Sequence, residues 1–484
     1  DFDQIAFVRR HAAHSLRNIT GSQYPWNHKP GGDICLKSIS DYPDTVADLI
    51  AERLGPGHVH GLDLHWDGRR LVFGFAAQPQ WPPSWDTGPQ CSPYVFQLRK
   101  EQPPTHIYTM NIDGTELQQV TGHPLWSDFE PCWSPDGAIV FASDRSGRSS
   151  ECGSFTSDHT VINIYRVLPD GSELMRLSDN KDIDRYPHAL DNGLIGYTRW
   201  EYQERHFTEV HAVWSVRPDG TMADAVFNQH MPAPWGIRDT RSVPDSNLLV
   251  SIATGHHTLA YGPVVLIDPR LGPNSAEGIR VVTPQTVPQE GPPAGKAVAE
   301  GGVPEKGGLY QTPYALSDKA FLASYSYNLP AFSTSAKLCN DTQFAVYLID
   351  VFGNRELIHR DPVYSCSFPM PVKSRRRPPV VAGLGDRRET PETAPGDIAA
   401  MPKSAEAAEV LAALDESMPQ PDESICMVAD VYAGLPEIER GTVKYIRISQ
   451  RVGWPLDDDI GAMRYIPGNA YSKQFGFWAW SPVR

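Results

Sequence analysis

"IYRVLPDGSELMRLS", residues 164–178, sets an Asp-Gly pair between two short apolar runs. Asp and Gly both tolerate positive φ, so the pair reads as the tight turn of a β-hairpin. The unit returns in "IYTMNIDGTELQQVT" (107–121) and "VWSVRPDGTMADAVF" (213–227). More worn copies are "VVLIDPRLGPNSAEGIRVVT" (264–283), "VYLIDVFGNRELIH" (346–359) and "ICLKSISDYPDTVADLI" (34–50). A unit repeated in this way is a structural module. Asp170-Gly171 is therefore assigned to a turn and not to chemistry.

A second hairpin pattern precedes each copy. "CWSPDGAIVFASDR" (132–145) is echoed by "LHWDGRRLVFGFA" (64–76), "HALDNGLIGYTRW" (188–200), "SVPDSNLLVSIAT" (242–254) and "ALSDKAFLASYS" (315–326). The opening "DFDQIAFVRR" keeps only the latter half. The second strand of each is almost continuously apolar, as in a strand buried on both faces. Two hairpins make a four-stranded blade, and six units predict an all-β, six-bladed β-propeller. The marker residues Asp67, Asp136, Asp191, Asp245 and Asp318 lie 69, 55, 54 and 73 residues apart. Compact blades take roughly 40–50 residues, so the surplus belongs to insertions.

Composition bounds the partners. The 484 residues carry a formal net charge of −15, which argues against nucleic acid, because phosphate binding needs a basic surface. The one basic run, Lys373-Ser374-Arg375-Arg376-Arg377, precedes Pro378-Pro379 and reads as a solvated linker. No run of 18 apolar residues exists, so no membrane span is expected. The seven cysteines form no C-x-x-C pair. The chain opens at Asp1 without methionine and closes on "FGFWAWSPVR", so both ends read as cut.

The insertions fall between the second and third strands of the units, at 11–32, 77–106, 146–163, 201–212, 255–263 and 327–345. In a propeller these loops and the blade-to-blade connections share one face. Nine of the sixteen histidines fall in the insertions: His11, His14, His28, His106, His159, His206, His211, His256 and His257. His58, His60, His123, His188 and His230 fall in the connections. Two stretches stand out as candidates for metal or cofactor binding. "ATGHHTLAYG" (253–262) carries His256, His257 and Tyr261, and "SSECGSFTSDH" (149–159) places Cys152 in a polar loop. The candidate metal set is Cys152, His256 and His257; His256, His257 and Tyr261 are the cofactor-side residues. In "YTRWEY" (197–202), Arg199 and Glu201 alternate along a strand and read as an ion pair.

The organisation expected is a propeller over 1–372, a Pro/Arg/Glu/Ala-rich linker over 373–424 with a helix around "SAEAAEVLAAL" (404–414), and the start of a β-rich domain over 425–484.

The "SPDGxIVF…IYxxxxDGxxLxxLT" repeat resembles that of the TolB-like propellers. "DNGLIGYTRWEY", "IATGHHTLAYGPVVLIDP", "RDPVYSCSFPMPVKSRRRPP" and "VADVYAGLPEIERGTVKYIRI", in this order, resemble the hydrazine synthase alpha subunit and its relatives. That resemblance implies an exported, periplasmic protein whose middle domain is a propeller. It implies a c-type haem domain behind it, partner subunits, and a zinc ion near the active haem. The chain departs from the family in lacking C-x-x-C-H, so c-type haem requires a domain beyond Arg484. The alternative is a non-catalytic TolB-like propeller that binds proteins or glycans on its insertion-rich face. A serine-peptidase gate shares "WSPDG" but needs a G-x-S-x-G elbow that is absent.

Overall fold

The structure, a computed structural model, describes residues 2–11, 25, 28–40, 45–78, 102–149, 160–201, 211–256, 258–288, 291–292, 307–327 and 343–383. From the last hundred residues it describes 430–432, 437–444, 449–451, 454–455 and 480–482.

The hairpins form as the turn chemistry demands. Asp170 Oδ1 accepts from the Ser172 N–H at 3.0 Å, Gly171 sits at φ +85°, and the flanking strands are Asn163–Val167 and Met175–Arg176. The same side-chain-to-backbone bond recurs at Asp113, Asp219 and Asp350, each followed by a positive-φ glycine within three residues. The Asp-Gly of the opening stretch is thus a turn.

Paired hairpins build antiparallel sheets of four strands. The first sheet joins Gln4–Arg10, Gly32–Ser38 and Val46–Asp48 to the late strand Ser365–Pro371. The second runs Gly57–Leu64, Arg70–Ala77, His106–Asn111 and Gln118–Gln119. The third runs Asp128–Trp133, Ile139–Ser143, Asn163–Val167 and Met175–Arg176. An eight-stranded sheet is two such runs, starting at Ile183–Ala189 and Gly236–Ser242, joined by the single parallel pair His211↔Gly236. We treat these runs as the fourth and fifth sheets. The sixth begins at Leu309–Ala315. This is a β-propeller architecture, nearly all-β.

The core lies between sheets. Val59 and Phe73 of the second sheet meet Ala6 and Met370 of the first; Trp66 and Val72 meet Trp133 and Phe141 of the third. Corresponding clusters join the third to the fourth, the fourth to the fifth and the fifth to the sixth. Ile5 and Phe7 of the first pack on Leu322 and Val346 of the sixth. Strands such as Leu249–Thr254, apolar except at Ser251 and Thr254, are buried along their whole length.

The basic run differs from expectation. Instead of a solvated linker, residues 373–383 cross the turns of the second, third and fourth sheets. The Arg375 N–H donates to Trp66 O at 2.9 Å, its Nη2 donates to Leu64 O at 2.7 Å, and Arg377 Nε donates to Pro135 O. Arg217 Nη1 reaches Ala382 O at 2.8 Å. Carbonyls at the turns hold the guanidiniums of Arg375 and Arg377, which composition alone does not disclose.

Residues 1–392 and 453–476 form one compact unit; 393–452 and 477–484 form another. In the second unit Ser449–Arg451 pairs antiparallel with Trp480–Pro482, and Arg440 bonds Asp430 at 2.6 Å. The helix expected at 404–414 lies outside the described residues. No helix among the described residues is long and apolar enough to cross a membrane.

Candidate metal centre

The strand Gly57–Leu64, "GHVHGLDL", is the first strand of its sheet and buried throughout. His58 and His60, two residues apart, share one side of it. Val59 points the other way, into the cluster with the first sheet. His28 comes from the insertion after Gln4–Arg10, and the Gly31 N–H ties that loop to Gly57 O at 2.8 Å. The His28 and His58 rings stack at 3.8 Å, and the His60 ring stands edge-on to both. One ligand-capable nitrogen from each of the three lies within 4.8 Å of the others. All three side chains are buried.

Strain marks the place. Gly61 stands at φ +94°, where a Cβ would lie 2.7 Å from Glu130 Cα. The register with the neighbouring strand breaks between Val59 and Leu62, a β-bulge. The first strands of the other sheets break at the same level: Glu130, Tyr186, Asp239, Thr312 and Phe368 all have φ between 48° and 56°. Four of them precede a proline, which normally favours extended backbone.

These breaks aim charged groups at the histidines. His60 Nε2 lies 3.4 Å from Glu130 Oε1, and Glu130 takes a two-pronged ion pair from Arg185 and the Tyr186 N–H at 3.0 Å. Burial pushes the Glu130 carboxyl up, but Arg185 and His60 override it and bring it to about 2. Burial lowers His60 to about 4 despite Glu130, and burial with His28 and Arg10 nearby holds His58 well below the usual imidazole range. Both rings are therefore neutral at pH 7 and offer lone pairs.

Arg10 Nη1 donates to Val59 O at 2.9 Å and lies 3.5 Å from His58 Nε2. Burial lowers Arg10, while Tyr261, Glu130 and Tyr186 act to raise it. Two guanidiniums thus face one carboxylate.

Three buried imidazoles, two of them held neutral at pH 7, suit zinc, whose catalytic sites commonly have three protein ligands and an open position. His60 held by a carboxylate on its far nitrogen is the usual outer-shell arrangement of a ligating histidine. His58 Nδ1 and His60 Nδ1 have no hydrogen-bond partner among the described residues. The donor set fits the metal. A covalently attached haem does not fit the residues present, for want of C-x-x-C-H.

The residues nominated from sequence lie elsewhere or nearby. Cys152 and His257 fall outside the described residues. His256 is buried, with Nδ1 2.9 Å from His211 Nε2 and its carbonyl accepting from Arg238. Tyr261 is buried against Phe344 at 5.0 Å, within electrostatic range of Arg10. The structure puts His58, His60 and His188 in strands rather than in the connections expected for them. The bulge at Gly61 hides the strand's alternation, so its start reads as loop. The His-x-His spacing was the available signal. Arg199 and Glu201 pair at 2.9 Å, as expected.

No protein-family model matches the chain, and no curated protein does. Among solved structures, hydrazine synthase of Kuenenia stuttgartiensis superposes with a TM-score of 0.57 at 15% identity over 79% of this chain and 48% of that one. The chain thus spans about half the length of the hydrazine synthase chain it matches. TolB of Acinetobacter baumannii gives 0.38 at 11% identity, over 76% and 66%. A TolB-type protein of Agrobacterium tumefaciens gives 0.30 at 14%, over 58% and 88%.

Proposed function

We propose that this chain is the propeller of a hydrazine-synthase-alpha-like exported metalloprotein, with a zinc ion held on His28, His58 and His60. The observation that carries the reading is the buried group of three imidazoles with Glu130 behind one of them. The likeness to hydrazine synthase supports the fold alone. In this proposal the sheets close into a six-bladed ring, with Ser365–Pro371 beside Gln4–Arg10 completing the first blade. The cluster joining the first sheet to the sixth supports closure.

Zinc so bound supplies a Lewis acid and a water of lowered pKa. The chain's own residues do the rest. Glu130 orients His60, Arg185 keeps Glu130 ionised, and Arg10 with Tyr261 receives an anionic group beside the ion. The insertion-rich face docks partner subunits in the periplasm, and any haem comes from outside these 484 residues. Hydrazine synthesis by this chain alone forms no part of the proposal.

Metal analysis of the purified chain tests this. The expected content is about one equivalent of zinc, lost in His58→Ala and His60→Ala and kept in His256→Ala. Loss in Cys152→Ala with retention in His60→Ala transfers the ion to Cys152, His256 and His257. A metal-free parent that takes up no zinc sinks both placements and leaves a TolB-like binding module.

A further inference from the structure

At the other end of the same strands lies a cavity of about 670 Å³. The strand that opens each sheet contributes to it: Asp63, Trp133, His188, Arg241, Tyr314 and Pro371. Residues 373–378 run along its rim, bringing Lys373, Arg375 and Arg376. Small-molecule pockets take roughly 300–1,000 Å³, so the volume suits a ligand larger than a few waters.

Trp133 Nε1, Arg241 Nε and Arg375 Nε are buried and have no hydrogen-bond partner among the described residues. Trp133 is only 1% exposed. A buried donor left without an acceptor is costly, so Trp133 Nε1 and Arg375 Nε, with Arg241 Nε only loosely met, mark a place for an acceptor-bearing guest. The carboxylates within reach are already engaged. Asp239 lies 2.7 Å from His188 Nε2 and 3.5 Å from Arg241 Nε. Asp63 takes the Trp133 N–H at 3.0 Å and Arg375 Nη2 at 3.3 Å. Lys373 and Arg376 have no side-chain ion pair among the described residues, while Asp191 and Asp245 are exposed at the rim. Arg241, Lys373, Arg375 and Arg376 outnumber the lining carboxylates Asp63, Asp191 and Asp245, on a chain whose net charge is −15.

We infer that this cavity binds a small organic oxyanion. Its acidic group sits on Arg241 and Arg375, and its body lies against Trp66 and Trp133. Arginine's fork and the indole N–H are the donors that such a group needs. The site lies beyond the histidine cluster: His60 and Asp63 are three residues apart on one strand, about 10 Å at ~3.3 Å per residue, with the break at Gly61 between them.

Titration calorimetry of the whole chain with succinate, benzoate and inorganic phosphate tests this. At least one probe should bind with Kd below about 1 mM, equivalent to about −4 kcal/mol. Arg241→Gln should weaken it about tenfold or more, and Arg376→Gln, which removes no hydrogen bond or ion pair among the described residues, about threefold. His58→Ala, which removes zinc, should leave it unchanged. Silence of all three probes at about 10 mM overturns the inference. So does binding indifferent to both arginine substitutions, and so does binding lost in His58→Ala, which assigns the anion to the other end.

Discussion

Glu130→Gln, in protein stripped of metal, is the most direct trial of the electrostatics around the histidines. Glu130 is fully buried, and its pKa falls from 4.5 to about 2. At 1.36 kcal/mol per unit, that depression corresponds to about 3 kcal/mol of stability at pH 7. Breaking a buried ion pair from one side costs about 3–5 kcal/mol, which agrees. The sign follows from the depression. The contribution is present above the unfolded value of 4.5 and is lost as pH falls from there towards 2. His60 adds to acid sensitivity over a higher window. Its folded value near 4 lies below 6.5, so the folded state resists the proton and loses stability from 6.5 down to 4. Urea unfolding followed by tryptophan fluorescence at a series of pH values measures both. The variant should lose about 3 kcal/mol at pH 7 and lack the Glu130 contribution to the acid limb below pH 4.5, while the His60 limb reaches lower because Glu130 no longer raises that imidazole. Glu130→Leu with Arg185→Met should recover most of the loss, because no charge is then stranded. A single variant within about 1 kcal/mol of the parent at pH 7, with its acid limb unchanged, would refute the reasoning.

Gly61→Ala forces a Cβ to 2.7 Å from Glu130 Cα at φ +94°. A loss of about 1–3 kcal/mol in the same assay is expected, together with weaker zinc retention. Gly193→Ala places a Cβ 2.2 Å from Pro379 O and so lifts the 373–383 segment off the fourth sheet. Trypsin should then cut between Lys373 and Arg377 about tenfold faster, read by mass spectrometry, whereas an unchanged rate means the segment is not seated there.

What the sequence disclosed was whatever is local. Asp-Gly turns and apolar strands announce themselves within a dozen residues. The boundaries expected for the insertions coincide with observed strand ends, such as Arg10 to Gly32 and Thr254 to Val264. The functional cluster is not local. His28 meets His58 and His60 across the join between two sheets, and Glu130 and Arg185 come from two more. The adjacent pair His256-His257 drew attention by its rarity, while the partner of His256, His211, stands 45 residues upstream and arrives through the parallel pair His211↔Gly236. The basic run misled because composition says where charge is and not which carbonyls await it.

The mid-strand breaks have one more effect. Before Gly61 the residue facing the first sheet is Val59, an odd number; after it they are Leu62 and Leu64, both even. The extra residue swaps the strand's two faces, so His58 and His60 above and Asp63 below look out on the same side. Each half of such a strand answers to its own neighbours. A chain built this way can rewrite the chemistry at one end of these strands without disturbing the sequence that serves the other.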